Sequence, residues 1–579
     1  MITKERYHSV DAFSNFTETQ ILNDTAQTNT SILKKKTSTN SGRKQQEVSF
    51  ALPDATSTET EDDQSDSNTS RDTSKELSFS QSNAALVSAI TESYPVENWD
   101  TTEHLDIHGK RLEVLRGLYK FTPNVWVLDA SDNEITHVAG IPRTVQMLNL
   151  ENNRIDNMSS FNSLKNIQLL SLDNNRLENL NSLSALKNLT RLTVSSNNLT
   201  SLEGLENFRM LRYLNVCNNK LRGTLDFSNY DLWLLEDLLL NGNKLTSVSG
   251  LELLPDLIYF SADQNNLSSL NCGTVNNSIK KLSLVMNNFK TLDLSNYPKL
   301  KELRADKNHL ESITGLTDEI EKVSLKYQSN PSAANSIISH SSKASRMRKL
   351  ALTGGVFDLS TIKAKSSFSS VSQLVLCAMN LESLPSNFSK LFPMLLDLNL
   401  NFNKLTTLDG LEGLTYLRQL KVLSNNLKTI ESIVMHTQSF RNSLKLIDLR
   451  VNPLTKSIYP YVFYDTREKE ENETDATDDT NEFDEGTTLN LKDYDDIEAF
   501  SIEYTKLYTE EGLQSWKDKN GMLLEANSGS EGFIKLREKY EMSMIVWFSN
   551  IAYLDGLKID SARRTAEKKQ WRKLKRTLN

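Results

Sequence analysis

The feature that most constrains this chain is a recurring L-x-L-x-x-N-x-L string, as in "LLSLDNNRL" at 169–177. Its asparagine falls at Asn133, Asn153, Asn175, Asn197, Asn219, Asn243, Asn265, Asn287 and Asn308, and returns at Asn403, Asn425 and Asn452. The interval is about 22 residues, too short for a unit that buries its own apolar face. Each unit must therefore stack on its neighbours. Leucines on alternate positions fit a short strand with one face turned inward. After the strand the chain must turn sharply, and an inward asparagine amide carries both a donor and an acceptor for the backbone groups left unpaired by that turn. Serine and glycine are too short for this, and leucine brings no polar atom. The asparagines are thus expected to form a structural ladder, not a reactive site.

These spacings predict an α/β repeat fold, a leucine-rich-repeat solenoid with a parallel sheet on its concave face. About fifteen repeats are expected over 99–456, opening with a degenerate unit in which Leu105, Ile107 and Leu112 keep the frame and Lys110 takes the asparagine slot. The frame blurs after Asn308, where Gln328 and later Met379 fill the slot and an insertion is expected near 328–348. Each buried leucine contributes on the order of 1.5–3 kcal/mol before chain entropy, so stability belongs to the array and not to any single rung.

The flanks are different material. Residues 1–98 are roughly one-third Ser and Thr with few large apolar side chains, the signature of a disordered tail, with a short helix expected near 84–94. Within it, Ser9 and Ser74 each follow an arginine by three positions and are candidate phosphosites. After Pro453 an insert is expected over 457–537, holding an acidic disordered loop at 465–497. A C-terminal cap and basic helix are expected over 538–579, where "YEMSMIVWF" leads into "YLDGLKI".

A net charge of −9 gives no global case for nucleic-acid binding. No apolar run is long enough for membrane insertion. The start lacks a signal-peptide core, and Cys217, Cys272 and Cys377 form no terminal clusters, so an intracellular protein is expected. No phosphate-binding loop, dinucleotide fingerprint, zinc-protease helix or nucleophile elbow is present. His104 and His108 are four apart but lack further ligands. The expectation is a binding protein with no catalytic residue, no cofactor, no metal and no small-molecule substrate. Its candidate concave face comprises Tyr213, Tyr259, Met286, Arg304, Lys307, Lys326, Tyr327 and Phe402, with Leu239, Val285, Lys322, Lys349 and Leu423 nearby. Aromatic, Met and Arg side chains are enriched in interface cores, and the basic centre suits an acidic or phosphorylated segment.

"LRVNPLTKSIYPYVFY" (449–464) runs the last repeat into a Tyr-Pro segment, and "YLDGLKI" (553–559) closes the cap far downstream. With the Ser/Thr-rich tail, this resembles the fungal spindle-pole-body scaffolds of the mitotic exit and septation initiation network, a centriolin-related family. The resemblance implies a non-enzymatic phosphoprotein platform at the microtubule-organising centre, on its cytoplasmic outer plaque. The implied partners are a GTPase-activating complex, a Mob-bound kinase, and a gamma-tubulin complex receptor or other spindle-pole coiled-coil protein that attaches astral microtubules. A regulatory subunit of a type-1 protein phosphatase, which uses similar repeats and caps, is the alternative; it lacks such a tail and insert.

Overall fold

A computed structural model describes residues 84–328, 345–354, 368–456, 458 and 531–578. Every repeat opens with a short strand, and successive strands pair in parallel and in register. Leu148 of Met147–Asn149 lies beside Leu170 of Leu169–Ser171, which lies beside Leu192 and then Leu214. The same pairing carries the sheet from His104–Asp106 to Leu446–Asp448. Because the repeat length is nearly constant, each inward leucine stacks on the last one. Leu170, Leu172, Leu177 and Leu180 are all buried in one continuous core with their counterparts.

The return segments use 3-10 turns such as Asn181–Leu183 and Leu205–Asn207, short helices such as Phe388–Leu391 and Ile430–His436, and a second small sheet of Arg222–Asp226, Lys244–Ser249 and Ser269–Asn271. Where the return segment begins, the repeats press together. Gly204 has φ +101°, and a Cβ there would lie 2.5 Å from the Leu180 carbonyl carbon. Only glycine fits that approach.

Three boundaries differ from the sequence expectation. Residues 84–93 are helical, with Leu86, Ala89 and Ile90 buried in the core, and Trp99 of the following turn donates to Tyr94 O at 3.1 Å. The repeat body therefore begins by residue 84, not 99. The helix covers the apolar end of the first repeat, which composition alone does not reveal. At the other end the cap helix is Glu531–Trp547, so it starts ahead of 538. Within the insertion expected near 328–348, Gln328 and 345–348 belong to the repeats; Met347 is buried and Arg348 N donates to Glu321 O at 2.7 Å. Residues 1–83, with Ser9 and Ser74, and the acidic loop at 465–497 lie outside the described residues.

Candidate interaction face and capped end

The asparagine slot is a hydrogen-bond hub. Asn175 Nδ2 donates to Leu150 O of the preceding repeat at 2.8 Å and to its own Leu172 O at 3.1 Å, while its Oδ1 accepts from Ile155 N at 2.8 Å. The same pattern recurs from Asn133, which accepts from Leu112 N at 2.9 Å, to Asn452, which donates to Val422 O at 2.9 Å. Gln328 keeps it with a longer arm, donating to Ala305 O at 2.7 Å. Each hub lies buried beside a residue in the left-handed region, as at Asn152, Asn174 and Asn218.

A second polar row, two positions ahead of the first, escaped the sequence reading. Asp173 accepts from Ser195 N at 2.6 Å, Asn241 from Asp263 N at 2.7 Å, Asp263 from Val285 N at 2.7 Å, Asp306 from Lys326 N at 2.8 Å and Asn401 from Leu423 N at 2.9 Å. The sequence signal is an Asp or Asn at that fixed offset. Burial holds the Asp173 and Asp263 carboxyls above the usual carboxylate range. Glu151 is raised as well, first by burial and then by its acidic neighbours Asp173, Asp132 and Asp129.

The candidate face divides in two. Tyr213, Tyr259, Arg304 and Lys326 stand on strands of the main sheet. Met286, Lys307, Tyr327 and Phe402 do not. They hold the left-handed turn position beside the ladder, at the edge where strands end. The spacing places them next to the asparagine slot, and the turn carries that slot off the strand. Tyr213 lies under the Arg191 guanidinium, 3.5 Å from its ring centroid. Among the middle lysines, Lys301 pairs with Glu321 at 2.9 Å in a part-buried contact, and Lys322 with Glu302 at 3.2 Å in an exposed one that water screens.

The capped end is built from residues far apart in sequence. Tyr553–Leu554 pairs in parallel with the last repeat strand, and Leu557–Lys558 folds back antiparallel. Asp448 and Arg450 form a buried bidentate pair, with Nε to Oδ1 at 2.9 Å and Nη2 to Oδ2 at 2.8 Å. Beside them Asp555 accepts from Leu449 N at 2.6 Å and from the Tyr540 hydroxyl at 2.7 Å. Burial, then the Asp448 charge, pushes the Asp555 carboxyl up to about 7. Trp547 Nε1 donates to Thr437 Oγ1 at 3.0 Å, locking the cap helix to the last return segment.

The histidine pair of the first repeat does not converge. His108 Nδ1 meets Asp106 at 2.7 Å, which raises its pKa, whereas His104 packs edge-on against Trp126. A cluster that sequence reading missed is Asp409, Glu412 and His436, on the outer turns of two neighbouring repeats. The imidazole bridges the two acids, with Nε2 facing Asp409 at 3.0 Å and Nδ1 facing Glu412. Its ring nitrogens point apart, so one ion could take only one of them. The imidazole thus ties the two turns together through both of its ring nitrogens.

These features define a leucine-rich-repeat solenoid with an open sheet face and a closed end. A leucine-rich-repeat protein of Leptospira interrogans shares that fold, with a TM-score of 0.51 at 22% identity over 62% of this chain and 92% of the other. No family profile matches the chain. By sequence it is 33% identical over 393 residues to the septation initiation network scaffold protein cdc11 of Schizosaccharomyces pombe, covering 68% of this chain and 37% of that protein. It is also 33% identical over 84 residues to protein NUD1 of Saccharomyces cerevisiae, covering 14% of this chain and 10% of that one. The chain is thus similar, over 393 residues, to a septation-network scaffold protein, and that match spans little more than a third of the fission-yeast protein's length.

Proposed function

We propose that this chain is a non-catalytic scaffold of the septation and mitotic exit network, seated at the spindle pole body on its cytoplasmic outer plaque. The observation that carries the reading is the 393-residue similarity to a protein named as that network's scaffold. The repeat fold supports it, because a solenoid offers a long side-chain surface without needing an enclosed pocket. On this reading the face holding Tyr213, Tyr259, Arg304 and Lys326, with its rim at Met286, Lys307, Tyr327 and Phe402, engages protein partners. Those partners are a GTPase-activating complex, a Mob-bound kinase and a receptor that attaches astral microtubules. Ser9 and Ser74 are then sites whose phosphates an arginine-rich partner reads. The physical gain is effective concentration: holding kinase and substrate on one platform replaces a bimolecular encounter.

A fluorescently tagged copy followed through the cell cycle tests the reading. One or two foci at spindle poles are expected, retained when residues 1–83 are deleted and lost when 84–579 are deleted. Diffuse signal throughout the cycle would overturn the proposal and turn attention to capture of a type-1 phosphatase.

A further inference from the structure

The repeats that follow Gln328 leave a groove along the edge where the chain enters the main sheet. Arg346, Ser370, Met394 and Tyr416 each sit three residues ahead of their strands, which are Lys349–Thr353, Gln373–Cys377, Asp397–Asn399 and Gln419–Lys421. Arg348, Ser372, Leu396 and Arg418 hold the position next to those strands. Their backbones are tied in series, Ser372 N to Arg348 O at 2.9 Å, Leu396 N to Ser372 O at 2.8 Å and Arg418 N to Leu396 O at 2.8 Å. Two side-chain rows therefore run together across four consecutive repeats. All of these residues except Arg418 line one cavity of 590 Å³.

The chemistry of the groove changes from end to end. Arg346 and Arg348 stand at one end, Ser370 and Ser372 make a shallow polar floor, and Met394 and Tyr416 stand at the other. Met394 is 46% exposed and Tyr416 53% exposed, large apolar side chains left open in adjoining repeats. Such neighbours form the kind of surface that an anchoring side chain fills. Two guanidinium groups on alternate residues of one strand entry suit the several oxygens of a phosphate. The acid in the groove, Glu321, is held first by Lys301 Nζ at 2.9 Å and more weakly by Arg348, so a phosphate competes with it only for that second, longer-range attraction. Arg346 meets Glu319 at 2.7 Å in an exposed pair, which exchanges at little cost.

We propose that this groove docks a phosphorylated linear peptide of a partner protein, its phosphate on Arg346 and Arg348 and a bulky apolar side chain on Met394 and Tyr416. Strands lie about 4.8 Å apart, so the two ends are separated by roughly 10–14 Å, and an extended peptide rises about 3.3 Å per residue. The apolar residue thus falls three or four positions from the phosphorylated one. The proposal rests on the array being a protein-binding platform, and not on where in the cell that platform sits.

Fluorescence anisotropy with the full chain tests it, using two labelled probe peptides. In one, phenylalanine follows phosphoserine by four positions in an alanine background; in the other, it precedes it by four. One of the two is expected to bind. Its affinity should fall at least tenfold without the phosphate, with phenylalanine changed to alanine, and in each of Arg348→Ala and Tyr416→Ala, both variants keeping the parent melting temperature. Binding by neither probe, or equal binding by parent and both variants, would overturn the proposal. So would binding that emerges only when 467–486 is deleted, since the groove's occupant would then be the chain's own acidic stretch. A tagged copy that misses the spindle poles while the peptide behaves as described would sink the scaffold address and leave the groove standing.

Discussion

At the scale of single residues, the asparagine hub decides whether a repeat closes. Replacing Asn175 by alanine removes donors from Leu150 O and Leu172 O and strands Ile155 N, all in a buried site. A buried polar group left without its partner costs about 1–3 kcal/mol, so Asn175→Ala is expected to destabilise the chain by about 3 kcal/mol. Asn174→Ala, next door, should cost only about 1 kcal/mol, because alanine lacks the short polar side chain that makes φ +55° tolerable for asparagine. Urea unfolding midpoints of the two variants check this; equal shifts would deny the hub its role. The hub was legible in sequence because the repeat prints it a dozen times at one spacing. The second row at Asp173, Asn241, Asp263, Asp306 and Asn401 was not. An acid near a turn looks the same whether it faces water or the next repeat's N–H, and only the stacked strands decide between them.

At the scale of elements, the cap is where the array meets its most unusual chemistry. Covering the last strand buries Asp448, Arg450 and Asp555 together, and the guanidinium pairs with Asp448 while Asp555 lies close to that carboxylate. Asp555 responds by holding a proton to about 7, well above its ordinary 3.8. Between those values the folded chain binds a proton that the unfolded chain has already released. Stability from this group is therefore complete below about pH 4, declines as pH rises to about 7, and is level beyond. Thermal melts of parent and Asp555→Asn are expected to converge in acid, diverge in the variant's favour as pH rises from about 4 to about 7, and keep a constant gap above that. A constant difference at every pH would show that Asp555 does not titrate in that window. The split cap itself was legible from "YLDGLKI" lying so far past the last repeat. Its helix start at Glu531 was not, because the apolar and aromatic run that announces the helix begins only at Tyr540, and Ser530 and Glu531 ahead of Gly532 read equally well as a turn.

At the scale of the whole molecule, a parallel in-register sheet makes each repeat depend on its two neighbours, and the ends depend on their covers. The sequence made the interior plain and offered a helix near 84–94, but not that this helix covers the N-terminal end of the array. The Ser/Thr-rich composition of the first hundred residues outweighed the few apolar positions that matter, Leu86, Ala89, Ile90 and Trp99. Those side chains close the apolar end of the first repeat, and Lys110 Nζ reaches back to Glu92 at 2.6 Å to hold the helix in place. A chain beginning at residue 84 should therefore fold as the parent does, whereas one beginning at residue 100 leaves Leu105 and Ile107 facing water. Because coupling runs only between neighbours, the damage should fade along the array. Amide hydrogen exchange is expected to quicken in His104–Asp106, Val127–Asp129 and Met147–Asn149 of the shorter chain, and to keep parent rates from Asp397–Asn399 to the cap. Acceleration through every strand would instead mean that the solenoid unfolds as one cooperative unit. No change at all would mean that the 84–93 helix covers nothing the repeats need.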